Sequence, residues 1–355
     1  MKKIYYLLLA ATATIGLASC NNEWEDEQFE QMVSFKAIPD DSGVTPLYVR
    51  YNAEGSKLYE LPVLLSGSTM STANRTVHIA VDPDTLKQLN IERYGTDDRN
   101  NGIKYQQLDA QYYSFPETVD IPAGEYSTVL PITFTLGGNN NQNPLDMSDK
   151  WILPLTIQDD PSYNYVANPR KYYRKALMHI TPFNDYSGIY GGTQLFIISD
   201  INGDGVVDDK DESTGKFTEN EHKAYVVDDN TVFFYAGRID GEDLNRKNYK
   251  VNVRFLDEGF EGTEDAKRKK LEIWCDNPDA NFKLLDENPY YTVEEDTDGK
   301  RPFIKYIYIT VHLSYQFEDY TTVPGLRQKF KVDGLMALQR ELNTLIPDED
   351  QQIQW

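Results

Sequence analysis

An all-β protein of two domains is what the 355-residue sequence predicts. Three observations carry that expectation. Short runs rich in β-branched and aromatic residues recur along the chain, each bounded by clusters of Gly, Pro, Asn or Asp. The length exceeds what one hydrophobic core sustains, since cores stop growing near roughly 250–300 residues. At 40% hydrophobic residues there is apolar material for more than one core.

Residues 1–19 read as a cleaved export signal. Lys2 and Lys3 form a positive start, Ile4 to Leu17 is apolar, and the segment closes on Leu17-Ala18-Ser19-Cys20. That apolar run is too short to span a bilayer. Its Leu-Ala-Ser-Cys ending resembles the bacterial lipobox, which makes Cys20 the expected lipidation site; stable anchoring then takes more than one acyl chain. An ordinary secretory signal with a chance cysteine is the alternative. Residues 20–30, with Glu23, Glu25, Asp26 and Glu27 nearly contiguous, read as a solvated tether. They resemble the acidic signal that sends Bacteroidota lipoproteins to the outer face of the outer membrane, a plain spacer being the other reading.

Residues 31–181 read as a β-sandwich of immunoglobulin type. Leu58–Leu65, Arg75–Val81, Ser127–Phe134 and Trp151–Ile157 are the clearest strands. With Val33–Phe35, Thr45–Tyr51, Tyr113–Asp120 and Lys175–Ile180 they make about seven or eight, the number such a sandwich uses. One helical segment interrupts them at Asp84–Tyr94, after Pro83, with Leu86, Leu89 and Ile91 as its expected apolar face. Gly137–Asn143 reads as a polar hairpin loop.

A second unit, 185–355, is again strand-rich. From Phe303 to Phe317 the odd positions Ile307, Ile309, Val311, Leu313, Tyr315 and Phe317 are apolar, while Tyr306, Tyr308, Thr310, His312 and Ser314 are polar or amphipathic. A period of two gives one buried and one wet face. The meandering strands predict a small antiparallel barrel or a curved sandwich.

Charge and motifs exclude several functions. With 35 basic against 57 acidic residues the formal charge is −22, which argues against nucleic acid as a partner. Once Cys20 is assigned to the N-terminus, Cys275 is the remaining thiol, and its alternation with Leu271 and Ile273 places it in a core. No nucleophile elbow, His-Glu-x-x-His, phosphate loop or Cys-x-x-Cys is present, so the chain does not read as an enzyme. His78, His179, His222 and His312 are scattered and read as structural.

One motif carries sharp chemistry. In the run from Asp200 to Asp211, Asp200, Asn202 and Asp204 fall at positions 1, 3 and 5 of a calcium loop, with Gly205 at the turning position 6. Val206 offers its carbonyl at 7, Asp208 acts through water at 9, and Asp211 takes position 12. A hard cation takes six to eight oxygens, and alternate side chains of a tight loop converge to supply them. Asp211 in place of Glu makes the loop similar to the dockerin type. The expected cofactor is Ca2+ in a structural role.

Sugar binding calls for aromatic faces that stack on pyranose rings beside hydrogen-bonding groups. Trp274, on the face opposite Leu271, Ile273 and Cys275, and the loop-like pair Tyr290 and Tyr291 are the first candidates, with the stripe Tyr306, Tyr308 and His312 behind them. Asp84-Thr85-Leu86 resembles a three-residue O-glycosylation motif of this bacterial group.

A wider resemblance adds to this reading. Val81-Asp-Pro-Asp-Thr-Leu86, Tyr105-Gln-Gln-Leu-Asp109, Val119–Glu125 and Trp151–Ile157 resemble a Bacteroidota domain of unknown function that opens surface lipoproteins, some of which continue into family-eighteen endo-glycosidases. The ending from Leu338 to Gln351 is similar to the calycin-like barrel domain often paired with it. The resemblance implies a lipid-anchored component of a Sus-like glycan-uptake locus. Such a protein binds polysaccharide or oligosaccharide at the cell surface without cleaving it. An adhesin for a host protein and a cryptic glycoside hydrolase are the alternatives.

Overall fold

The computed structural model describes residues 27, 29–53, 55–137, 144–260 and 267–354. The export signal, Cys20 and most of the acidic tether lie outside the described residues, as does most of the Gly137–Asn143 loop.

The N-terminal part is a two-sheet sandwich. Its strands are β1 (Met32–Phe35), β2 (Thr45–Arg50), β3 (Lys57–Leu65), β4 (Arg75–Val81), β5 (Tyr105–Gln107), β6 (Tyr113–Ser114), β7 (Thr118–Ile121), β8 (Ser127–Phe134), β9 (Lys150–Ile157), β10 (Val166–Ala167) and β11 (Lys175–Phe183). One sheet runs β10-β1-β3-β8-β6; the other runs β2-β11-β9-β4-β7, with β5 added to β9. Most ladders are antiparallel, but β10 on β1, β2 on β11 and β5 on β9 are parallel. Alternate residues meet between the sheets: Leu47 and Val49 from β2, Leu61 and Val63 from β3, Met178 and Ile180 from β11.

Helix α1 (Pro83–Tyr94) forms where expected. Asp82 caps it by accepting from the Thr85 N–H, Pro83 fills the first turn, where no N–H is missed, and Gly95 ends it. Leu86 and Leu89 pack on Val44, Tyr105, Ile152 and Leu177, on the outer face of the second sheet. Ile91 is 39% exposed and does not join them. At 3.6 residues per turn it lies well round the helix from Leu86, so the apolar face is narrower than expected.

The C-terminal part is a closed antiparallel barrel of eight strands. They are β12 (Gly188–Ser199), β14 (Glu221–Val226), β15 (Thr231–Tyr235), β16 (Lys250–Gly259), β17 (Lys269–Trp274), β19 (Tyr290–Thr297), β20 (Ile304–Asp319) and β21 (Gln328–Asn343). Short β13 (Lys216–Thr218), β18 (Lys283–Leu284) and β22 (Ile353–Gln354) add to its rim. Helix α2 (Lys171–Arg174) precedes β11, and α3 (Asp209–Thr214) follows β12.

The β20–β21 hairpin pairs without a slip from Ile304↔Asn343 to Asp319↔Gln328. Ile309, Val311, Leu313, Tyr315 and Phe317 point into the barrel, as their period predicts. Closure of β21 on β12 needs a glycine. Gly334 has φ +136°, and a Cβ there would lie 2.0 Å from the Gln194 carbonyl oxygen, beside the register shift that bends β12.

The two parts are not beads on a string. Val226, Phe233 and Tyr235, from the barrel wall, belong to the sandwich core. Arg246, 1% exposed, donates to the Ser148 and Gly102 carbonyls across the junction. Arg340 donates to the Asn184, Asp185 and Ser187 carbonyls and fixes the segment joining β11 to β12.

Candidate functional site

A concavity lies at this junction. The sandwich presents the outer face of its second sheet, and the barrel presents its own outer face. Between them, beside α1, is a cavity of about 530 Å³ lined from both parts.

Strand periodicity decides what lines it. On β2, Leu47 and Val49 point into the sandwich, so Pro46 and Tyr48 point out. On β11, Met178 and Ile180 point in, so His179 and Thr181 point out; the parallel register sets His179 beside Pro46 and Thr181 beside Tyr48. On β14, His222, Ala224 and Val226 are buried, so Lys223 and Tyr225 face the cavity. Arg93 enters from the last turn of α1, and Lys150 from the start of β9.

Two groups of aromatic rings stand at the cavity. Tyr105 meets His179 edge-on at 5.7 Å, and Tyr225 lies 5.0 Å from Phe233 and 5.4 Å from Tyr235. Cations sit over these rings: Arg93 is 5.7 Å from Tyr105, and the Lys223 ammonium is 5.0 Å from Tyr225. Lys150 pairs with Glu242 of the barrel. Asp149 is held by Lys247 at 2.7 Å and flanked by Arg246 at 3.6 Å. Asp40 caps its own turn by accepting from the Ser42 N–H and hydroxyl at 2.8 and 2.6 Å.

This enclosure shifts protonation. Desolvation, reinforced by Lys223, pushes the His179 imidazole down to about 4. Desolvation and the charge of Lys150 hold the Lys223 ammonium below its ordinary value. Asp40 also titrates low: burial opposes this, but its turn hydrogen bonds outweigh burial.

The sugar platforms expected from sequence lie elsewhere, on the barrel, and not all are platforms. Tyr291 is 0% exposed, packs on Phe255 at 4.9 Å and donates to the Leu256 carbonyl. It is a core residue, because both tyrosines lie in β19 and the register sets Tyr291 beside the inward-facing Val311, so alternation turns Tyr290 outward. Tyr290 stays on the outer face, but its ring stacks on His312 at 5.2 Å and carries the Arg268 guanidinium at 4.2 Å. Trp274 is likewise half-buried, with Arg254 5.2 Å from its ring and its indole N–H donating to Asp276. The register sets Tyr290 opposite Lys270, four residues from Trp274, so the two residues are offset by about 13 Å along the strands. Thr85 is 6% exposed and its hydroxyl donates to Asp82 at 2.7 Å, which leaves no free acceptor for a sugar.

The acidic loop adopts glycine-assisted turns, with φ +70° at Gly203 and +84° at Gly205, and leads into α3. Its carboxylates cap the loop's own backbone. Asp200 accepts from the Gly203 and Gly205 N–H groups, and Asp211 from those of Ile201 and Asp208. Asn202, Asp204 and Asp208 each accept from the N–H two residues on. Val206 is 58% exposed. Among the described residues no three His, Cys, Asp or Glu side chains converge where they would hold a metal ion. The fit is therefore one of backbone turns and ligand order, not of converged carboxylates.

Cys275 is half-buried among the barrel core residues, as expected. Sequence reasoning missed His179, Lys223, Arg93 and Tyr48. Alternation marks Tyr48, His179 and Lys223 as outward-facing and Arg93 stands in the last turn of α1, but only the fold brings them together.

Residues 24–161 match the family described as a domain of unknown function, DUF4973, and residues 174–336 match a C-terminal domain family. A protein of unknown function from Bacteroides ovatus is 40% identical, with a TM-score of 0.78, over 92% of this chain and 100% of that one. A multidomain protein including DUF1735, from the same organism, is 39% identical with a TM-score of 0.77, over 92% and 100%. An auxiliary nutrient binding protein from Bacteroides thetaiotaomicron is 34% identical with a TM-score of 0.74, over 90% and 100%. No curated protein matches.

Proposed function

The chain carries a DUF4973 domain and belongs to the family of these Bacteroides proteins, and from that premise we propose that it is a non-catalytic glycan-binding protein of the cell surface. The observation that carries the reading is the tyrosine-lined cavity between the two domains. Its volume of about 530 Å³ suits a short oligosaccharide segment. Tyr48, 40% exposed, offers an apolar face for a pyranose ring, the packed rings of Tyr105 and Tyr225 form the walls beside it, and the ammonium, guanidinium and hydroxyl groups around them offer hydrogen bonds to sugar oxygens. The auxiliary nutrient-binding relative supports a capture role.

The carboxylates of the cavity favour binding over hydrolysis. A glycosidase needs one carboxylic acid kept protonated and a second kept free. Glu242 is tied to Lys150, Asp149 to Lys247, and Asp40 to its own turn, with a lowered pKa. Lipid attachment at Cys20 in the outer membrane is part of the same proposal. It rests on the Leu17–Cys20 ending and the acidic residues after it. Capture at the surface would then feed neighbouring Sus-like hydrolases and a transporter. Calcium at the Asp200–Asp211 loop is proposed as a structural ion, on the order of its ligands.

The test is affinity electrophoresis of the Asn21–Trp355 chain in gels containing a panel of polysaccharides, with an assay for released reducing ends. One polysaccharide should retard the protein with no reducing ends released. Tyr48→Ala should lose most of that retardation and Trp274→Ala should keep it. The opposite pattern would move the site to the barrel face, and a blank panel would end the glycan reading in favour of a host protein.

A further inference from the structure

The charge in the cavity runs against the charge of the molecule. The chain carries −22 overall, yet Arg93, Lys150 and Lys223 converge on this one concavity. Glu242 neutralises Lys150. Asp40 spends its carboxylate on the Ser42 and Val44 turn. Among the described residues neither Lys223 nor Arg93 has a carboxylate within ion-pair reach; each lies instead over tyrosine rings.

We propose that this cluster is an anion subsite, and that the glycan taken by the cavity is an acidic one whose carboxylate or sulfate group is received by Lys223 and Arg93. The inference rests on the glycan-binding reading above and names the ligand class for that site.

Three further arguments support it. Burial first, and after it repulsion from Lys150, hold the Lys223 ammonium below its ordinary value in this partly desolvated site. An anion entering the site would relieve that repulsion. Charge-assisted hydrogen bonds are about twice as strong as neutral ones, so a subsite of this kind sets specificity as well as affinity. Finally, the partly exposed Tyr48 ring lines the same concavity as the cations, which is what a ring bearing a charged substituent needs: a face to lie on and a counter-charge nearby.

The experiment compares polygalacturonate, which bears carboxylates, chondroitin sulfate, which bears both groups, and neutral dextran and galactomannan. Affinity electrophoresis would use the Asn21–Trp355 chain and its Lys223→Gln and Lys223→Arg variants. Lys223 is an exposed residue of β14, so both variants should fold, and equal melting temperatures would verify this. The expected result is retardation by an acidic polysaccharide, weakened about tenfold or more in Lys223→Gln, in line with a charged hydrogen bond, and restored in Lys223→Arg. Retardation by polygalacturonate assigns a carboxylate, and by chondroitin sulfate alone a sulfate ester. Retardation only by a neutral polysaccharide, equal in all three proteins, would overturn the anion subsite and leave the glycan reading standing. Retardation by an acidic polysaccharide that Lys223→Gln does not change would also overturn it. No retardation by any of the four would overturn the subsite, and a blank on the wider panel as well would remove the glycan reading with it.

Discussion

His222 sits in the barrel wall, 7% exposed, with its Nε2 unpartnered among the described residues. Desolvation pushes its pKa down to about 4 from an ordinary 6.5. Above pH 6.5 the ring is neutral whether the chain is folded or not, and it costs nothing. Between 6.5 and 4 the unfolded chain takes up a proton that the folded chain refuses, so stability falls as pH falls, by roughly 3 kcal/mol at most once both forms are charged. Urea titrations from pH 7 to pH 4 should therefore show a steeper loss for the wild type than for His222→Leu; equal slopes would remove the assignment. The same scale separates Tyr290 from Tyr291. Their sequence context is nearly identical, and what divides them is the register of β19 on β20, which sets Tyr291 beside Val311. A shift of one residue turns a side chain from solvent to core.

At the scale of elements, the β20–β21 hairpin and α1 were legible from sequence because their signals are local: a period of two, and a capping Asp followed by Pro. Ile91 was misread by its apolar character, since its spacing already places it about 140° round the axis from Leu86. The Asp200–Asp211 loop lies between these cases. Its ligand order is readable, but the same acids cap the backbone as Asx turns, and both uses demand the same residues. The calcium proposal predicts that adding calcium to chelator-treated protein raises the melting temperature. At ten times Kd the gain is about 1.4 kcal/mol, or roughly 2–4 °C for a chain of this size. Asp204→Ala, which removes an exposed ligand, should abolish the rise. A wild type indifferent to millimolar calcium would leave the loop as a capped turn.

For the whole molecule, the junction is the decisive feature. Arg246 is 1% exposed and bonds two carbonyls of the sandwich from a loop of the barrel. Around it, Lys250 pairs with Asp146 at 2.7 Å, Arg50 with Asp185 at 2.9 Å, and Asp350 receives both Arg50 and Lys57. Exposed pairs of this kind are worth little singly. The buried guanidinium is different, since removing it strands carbonyls without partners. Arg246→Ala should cost about 3–5 kcal/mol in guanidinium denaturation. It should also loosen the cavity, so that glycan retardation falls with stability. A cost under about 1 kcal/mol would show that the domains are held by their apolar contact alone.

By itself the sequence determined two β-rich units, the strand faces and the ligand order of one loop, because each of these is written in residues close together in the chain. Only the tertiary structure decided that β2, β11 and β14 turn their outer faces toward each other. The pattern of alternation says that a side chain leaves its own core; it carries no information on what, if anything, lies beyond. The cavity and its cations exist because a second domain closes over one such face, and that is set by packing between parts of the chain far apart in sequence.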